Sequence, residues 1–415
     1  MALSVSISPE LSPPTIPGST AEKVDCSNDA FAFWKLPVEC RPPLAGSLAA
    51  SERVISRYLF EEYLSPRERR SSMALSFYYL IKGLIPVGLR HHLNALAVNA
   101  RKRLDFPNWP CETALVDFWR DWLRQSLQRL GLADTLHIGF WPHGHRCCIV
   151  LTHDVESPFG FEQIRRMTEL EEQYGFRSAL NFPLTQFRID WRSLDDLKAR
   201  GFEFGAHGLA HDGRLFRSEQ HFSTLAPVLE RFAHEHGLVG FRSPSTLRNV
   251  EWIKRLSFDY DCSFADTDPY EPQPGGSCSV FPFFLGNIVE LPYTIPQDHT
   301  LIHLLRRDPL PVWTTKFQWI ASMGGMILTL THPDYSGTPP YLSKYGELLK
   351  QLNDLECAWR ALPSEVALWW RQRSQTHLTI KEAVPLLTGP GSDRAVIRQV
   401  SEEALAKGGE RWHAR

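Results

Sequence analysis

Two histidines four residues apart, His207 and His211 in GFEFGAHGLAHDGRLF, follow a short apolar run and have a glycine between them. Neutral imidazole is the commonest protein ligand for zinc and related divalent ions, and two such groups need only a carboxylate to complete a hydrolytic site. Taken alone, the HxxxH spacing suits a solvated or core pair better than a metal site. Other titratable residues stand in similar surroundings: Asp154 and Glu156 follow CCIVLT, Arg242 ends VGFR, Asp261 lies in FDYD, and His332 follows MILTLT. A metal held by two imidazoles and one carboxylate keeps positions open for water and a substrate oxygen, and acidifies the bound water. A carboxylate that takes a proton and an imidazolium that returns one would complete the hydrolysis of an amide or ester.

These residues need elements that bring them together. From Arg146 onward, short apolar runs alternate with amphipathic segments. The runs CCIVLTHDV, RSALNFPL, FEFGAHG, VGFRSP, FDYDCSF, NIVELPY and MILTLTHP predict strands. Helices are predicted near 160–175, 191–200, 219–237, 250–257 and 311–322. That alternation indicates βαβ units and a mainly parallel sheet, too long for a small flavodoxin-like fold and suited to a TIM-like barrel. Active-site residues of a parallel barrel lie at the C-terminal ends of its strands, which is where the titratable residues fall.

The flanks read differently. Residues 1–43 are predicted to be a disordered lead, 44–138 a helical N-terminal region, 139–339 the barrel, and 340–415 C-terminal helices with a fraying tail. Net charge is -2 over 415 residues, and nothing in it points to nucleic acid. The eight cysteines are scattered without a CxxC pair and read as reduced thiols. The first 30 residues have neither a basic start nor an apolar core, so a cytoplasmic location is expected. Residues 67–103 carry eight Lys or Arg against one Glu, a net +7, around the apolar stretch SMALSFYYLIKGLIPVGL. Lys82 and Pro86 interrupt that stretch, so it is too short to span a bilayer. It reads as a packing helix or as a peripheral membrane contact.

The order LTHDVE, HGLAH, GFRSP and LTLTH resembles the polysaccharide deacetylases of the NodB-homology type, over roughly Arg146 to Pro333. The resemblance implies an α/β fold, a deformed (β/α) TIM-like barrel with added N-terminal and C-terminal helical segments. It also implies a metal-dependent hydrolase that removes acyl groups, chiefly acetyl, from an amino sugar or glycan. Asp154 matches the family's general base, and His207 and His211 match the metal-binding histidines. Arg242 matches the arginine that orients the base, and His332 the general acid. Val155 stands where many members carry a second Asp, and a D-V-E arrangement would pass that ligand role to Glu156. Asp261 is expected to tune His332, with Asp266, Asp268 and Asp298 as alternatives. The implied cofactor is a divalent metal, zinc first.

Each residue also has an ordinary structural role open to it. Asp154 suits a helix N-cap, Glu156 a solvated first turn, Arg242 a surface ion pair and His332 a turn. His143 and His145 in WPHGH read as loop residues. The long connection from Ala265 to Asn287 offers Phe281, Phe283, Phe284 and, just beyond it, Tyr293 as substrate-stacking or core side chains. Two other functions stand beside the deacetylase: a non-catalytic barrel used for binding or scaffolding, and a hydrolase of small linear or cyclic amides.

Overall fold

The computed structural model describes residues 26–65, 104–339 and 341–406. Ahead of the barrel come helices α1 (Ala30–Trp34), α2 (Arg41–Leu59) and α3 (Ala114–Leu130), then strand β1 (Asp134–Ile138). The central sheet is built from β2 (Cys147–Asp154), β3 (Ser178–Phe182), β4 (Glu203–Ala206), β5 (Gly240–Phe241), β6 (Tyr260–Asp261), β7 (Phe283–Leu285), β8 (Ile288–Glu290) and β9 (Met326–Thr331). Pairing runs β9-β2-β3-β4-β5-β6-β8 with every neighbour parallel, and β7 folds back on β8 as an antiparallel hairpin. β2 is buried along its whole length, as a parallel strand covered on both faces must be, which is why it reads as an unbroken apolar run.

The sheet curls until its ends meet without a regular strand pair. Thr294 and Ile295, just beyond β8, both donate their N–H to Leu328 O of β9 at 3.0 Å, and Leu328 N donates to Thr294 Oγ1 at 2.9 Å. This irregular seam is what deforms the barrel. Helices α4 (Pro158–Gln173), α5 (Asp195–Ala199), α6 (Glu219–Glu235), α7 (Val250–Ile253) and α8 (Pro309–Ser322) fill the crossovers. A buried polar network crosses behind β2. Glu171 of α4 accepts from Tyr345 OH at 2.6 Å and Ser178 Oγ at 2.7 Å and meets His153 Nε2 at 2.6 Å, while His153 Nδ1 lies 2.8 Å from Thr331 Oγ1.

The flanks depart from the expected division. The packed chain starts well before residue 44: Asp29 caps α1, and Trp34 of that helix is buried and donates its indole N–H to Trp119 O at 3.1 Å. After the barrel, α9 (Pro333–Ser336), α10 (Tyr341–Asn353) and α11 (Pro363–Ser374) are helical. Strands β10 (Ala358–Arg360), β11 (His377–Lys381), β12 (Val384–Thr388) and β13 (Ile397–Ser401) are interspersed among and after these helices, where helices alone were expected. β13 pairs antiparallel with β1, so the two flanks join each other, and β10 adds to the foot of β2. Phe33 stacks on Trp119 and packs with Phe140 and Phe281 at tilted and edge-on angles in one core shared by flank and barrel. The basic stretch at 67–103 and the polar tail from residue 407 lie outside the described residues. Among the described residues no helix is long and apolar enough to cross a membrane.

Candidate active site

Glu156, His207 and His211 bring one donor atom each to a common point, all within 4.8 Å of one another. His207 leaves the end of β4 and His211 follows through a turn. Gly208 between them holds φ +69°, and a Cβ there would lie 2.8 Å from Pro244 Cγ. That left-handed residue folds the two imidazoles toward the same side, a spacing that a helix supplies in other proteins. Glu156 Oε1 lies 2.8 Å from His211 Nε2 and 3.8 Å from His207 Nε2. Zinc bonds of about 2.1 Å at tetrahedral angles put donors roughly 3.4 Å apart, a value those two distances straddle.

The His207 ring is set for ligation. Its Nδ1 lies 3.1 Å from the Arg242 carbonyl, which can only accept, so Nδ1 carries the hydrogen and Nε2 presents its lone pair. That Nε2 is buried and has no hydrogen-bond partner among the described residues. An orphaned imidazole nitrogen facing a carboxylate and a second imidazole fits a divalent cation of the zinc type, for which imidazole and carboxylate are ordinary ligands. Burial raises the Glu156 carboxyl, but the imidazoles of His211, His207 and His332 outweigh it and hold the group well below the ordinary carboxylate range.

Asp154 ends β2 and is buried. Its Oδ1 accepts from Asn181 Nδ2 at 2.9 Å and from Arg242 Nη1 at 3.1 Å, and Oδ2 is 3.6 Å from His207 Nδ1. Burial raises this carboxyl too, and His207, Arg242 and His332 more than compensate, so it stays ionised. Arg242 is fully enclosed and locked by two further bonds, Nε to Cys262 O at 2.9 Å and Nη1 to Thr152 Oγ1 at 2.8 Å. Neither an N-cap role for Asp154 nor a surface pair for Arg242 describes them: Ser157 caps α4, and Arg242 has no exposed surface.

His332 stands just past β9, with Nε2 3.8 Å from Glu156 Oε1 and Nδ1 2.7 Å from Asp298 Oδ1. Asp298 also accepts the His332 N–H at 2.8 Å and Ser336 Oγ at 2.7 Å. Burial lowers the His332 pKa, but the charges of Asp298, Glu156 and Asp154 raise it to about 10, leaving an imidazolium at neutral pH.

Asp261 does not tune His332. It is buried in β6, accepts from Ser263 Oγ at 2.6 Å and faces Glu290 of β8 in register. A two-residue strand end can present its side chain to either side, and here it is enclosed beside Ser263 and Glu290, with Asp298 and not Asp261 on His332. Asp266 is taken by Lys316, and Asp268 by the Tyr270 N–H at 2.9 Å and Tyr293 OH at 3.2 Å. Phe281, Phe283, Phe284 and Tyr293 are all buried and serve the core. His143 and His145 lie in a turn ahead of β2, as expected. Asn181 went unnoticed in the sequence, although it closes the apolar strand RSALNF at a strand end like the others.

No family model matches the chain, and no curated protein matches it. Solved structures do. One described as a putative polysaccharide deacetylase from Mycobacterium smegmatis is 18% identical over 56% of this chain and 92% of its own, with a TM-score of 0.46. An allantoinase is 14% identical over 55% of this chain and 92% of its own, TM-score 0.47. A probable polysaccharide deacetylase from Pseudomonas aeruginosa PAO1 shows the same identity, coverages and TM-score. In each case the similarity extends over little more than half of this chain.

Proposed function

We propose that the protein is a metal-dependent hydrolase that removes acetyl groups from an amino sugar or glycan. The observation that supports this most is the convergence of a three-donor cluster, Asp154 bonded to Arg242, and His332 bonded to Asp298 at the ends of β2, β4 and β9. Glu156, His207 and His211 would hold the cation. When bound, a zinc-type ion supplies Lewis acidity and makes water a competent nucleophile near neutral pH. Asp154, kept ionised by Arg242, takes the proton of the attacking water. His332 Nε2, its opposite nitrogen fixed by Asp298, gives a proton to the leaving amine or alkoxide. Two titratable groups pushed to opposite protonation states at one pH are what an acid–base pair requires.

A cytoplasmic location belongs to the same proposal, supported by eight cysteines of which none is in a disulfide. A panel of N-acetylated sugars and small acyl amides, assayed for acetate or other acid released with and without a chelator, tests the function. Chelator-sensitive acetate release from sugars is the expected result. Turnover of amides alone would move the substrate class, and no turnover with metal bound would favour a binding module.

A further inference from the structure

Glu156 is gripped through its main chain from two sides. Its N–H donates to Asp334 Oδ2 at 3.2 Å, and its carbonyl accepts from Gln186 Nε2 at 2.6 Å. The other end of the same Gln186 amide, Oε1, accepts the main-chain N–H of His211 at 2.6 Å. One side chain from the turn after β3 therefore joins two residues of the donor cluster that lie on neither its strand nor each other's. The turn itself is aligned by neighbouring bonds: Leu184 N to Gly208 O at 3.1 Å, Thr185 N to Leu209 O at 2.7 Å, and Thr185 Oγ1 to Leu209 O at 2.8 Å. On the far side, Asp334 follows His332 by two residues, accepts also from Ser157 Oγ, and occupies the space that a Cβ on Gly160 would need.

We propose that Gln186 and Asp334 are positioning residues that fix the base of the Glu156 side chain, and that Gln186 also sets its separation from His211. This rests on the reading of Glu156, His207 and His211 as a metal site. The chemical need arises from Val155. With no acid there, the oxygen ligand comes from the next residue on a longer arm, and Glu has one more rotatable bond than Asp. A longer arm delivers its oxygen to one point only if its Cα is held, and neither main-chain partner of Glu156 named above is a main-chain group. The N–H and C=O of the ligand residue are thus both spent on side chains from other segments.

The test is zinc affinity of the full chain, measured by competition with a chromophoric chelator, with thermal unfolding of each metal-free variant alongside. Gln186→Ala and Asp334→Ala are expected to bind zinc about 10–100-fold more weakly than the parent. Thr185→Ala removes an adjacent bond between the same two loops without touching either ligand, and should bind as the parent does. Gln186 is exposed, so its variant carries the test if Asp334→Ala fails to fold. Unchanged affinity in Gln186→Ala overturns the assignment, as does an equal loss in Thr185→Ala. A parent chain that takes up no zinc overturns the metal site itself, a different outcome from either.

Discussion

Asp154 and His332 carry opposite charges at neutral pH because each is buried against the other's kind: Arg242 and the imidazoles face the carboxylate, and Asp298 faces the histidine. Asp154→Asn removes the proton acceptor and leaves the donor cluster intact. Turnover should fall about 10²–10⁴-fold with metal content unchanged; full activity would remove Asp154 from the mechanism. For His332 the sign is set by a raised pKa. The acid form persists through neutral pH and is lost as pH rises through about 10, so His332 sets the alkaline limb of the profile, while protonation of Asp154 sets the acid limb. Asp298→Asn takes away the main charge that raises it, and the alkaline fall should move to lower pH. A pH–rate profile of the two proteins reads this directly, and superimposable alkaline limbs would separate Asp298 from the acid. The contribution of His332 to stability has the same sign: it is complete below the free imidazole value of about 6.5 and is lost as pH rises through the folded value, whereas that of Asp298, held below the ordinary carboxylate range, is lost only in acid.

At the level of elements, the network on Glu171 ties α4, β2, β3, β9 and α10 together immediately behind the site. Glu171→Ala would leave His153, Ser178 and Tyr345 without their shared partner, and should cost about 3–5 kcal/mol in unfolding free energy by denaturant titration. A loss below 1 kcal/mol would show that the network contributes little. Most strands that position the site were legible in the sequence, because parallel strands buried on both faces are written as unbroken apolar runs ending in a polar residue. Asp154, His207, Arg242 and His332 were singled out at such ends, and His211 and Glu156 through the HxxxH and D-V-E spacings beside them. Asp261 was misplaced for the same reason: at a strand end two residues long, sequence does not say whether the side chain points into the barrel or out of its mouth. Gln186 and Asp334 were not legible, since they act on main-chain groups of residues far away in sequence. The antiparallel β7–β8 hairpin and the C-terminal strands were missed because their short, mixed segments, such as VPLLT and IRQVS, lack clean alternation and pair at long range.

Taken whole, the molecule wraps its barrel with a flank made from both ends of the chain, joined by β1 and β13. The eight cysteines, four of them buried, form no disulfide. Thiol titration of denatured, unreduced protein should therefore find eight thiols per chain; six or fewer would contradict a reducing location. The net +7 of residues 67–103 leads to a second expectation, co-sedimentation with anionic vesicles that weakens with salt. Equal recovery in the supernatant with anionic and neutral vesicles would remove the membrane contact. The central claim is the metal centre, and zinc binding to the chelator-stripped chain by equilibrium dialysis tests it most directly. One zinc per chain in the parent, lost in both His207→Ala and His211→Ala and retained in Asp154→Asn, is the predicted result. A parent that binds none, or histidine variants that still bind one equivalent as tightly, would contradict it.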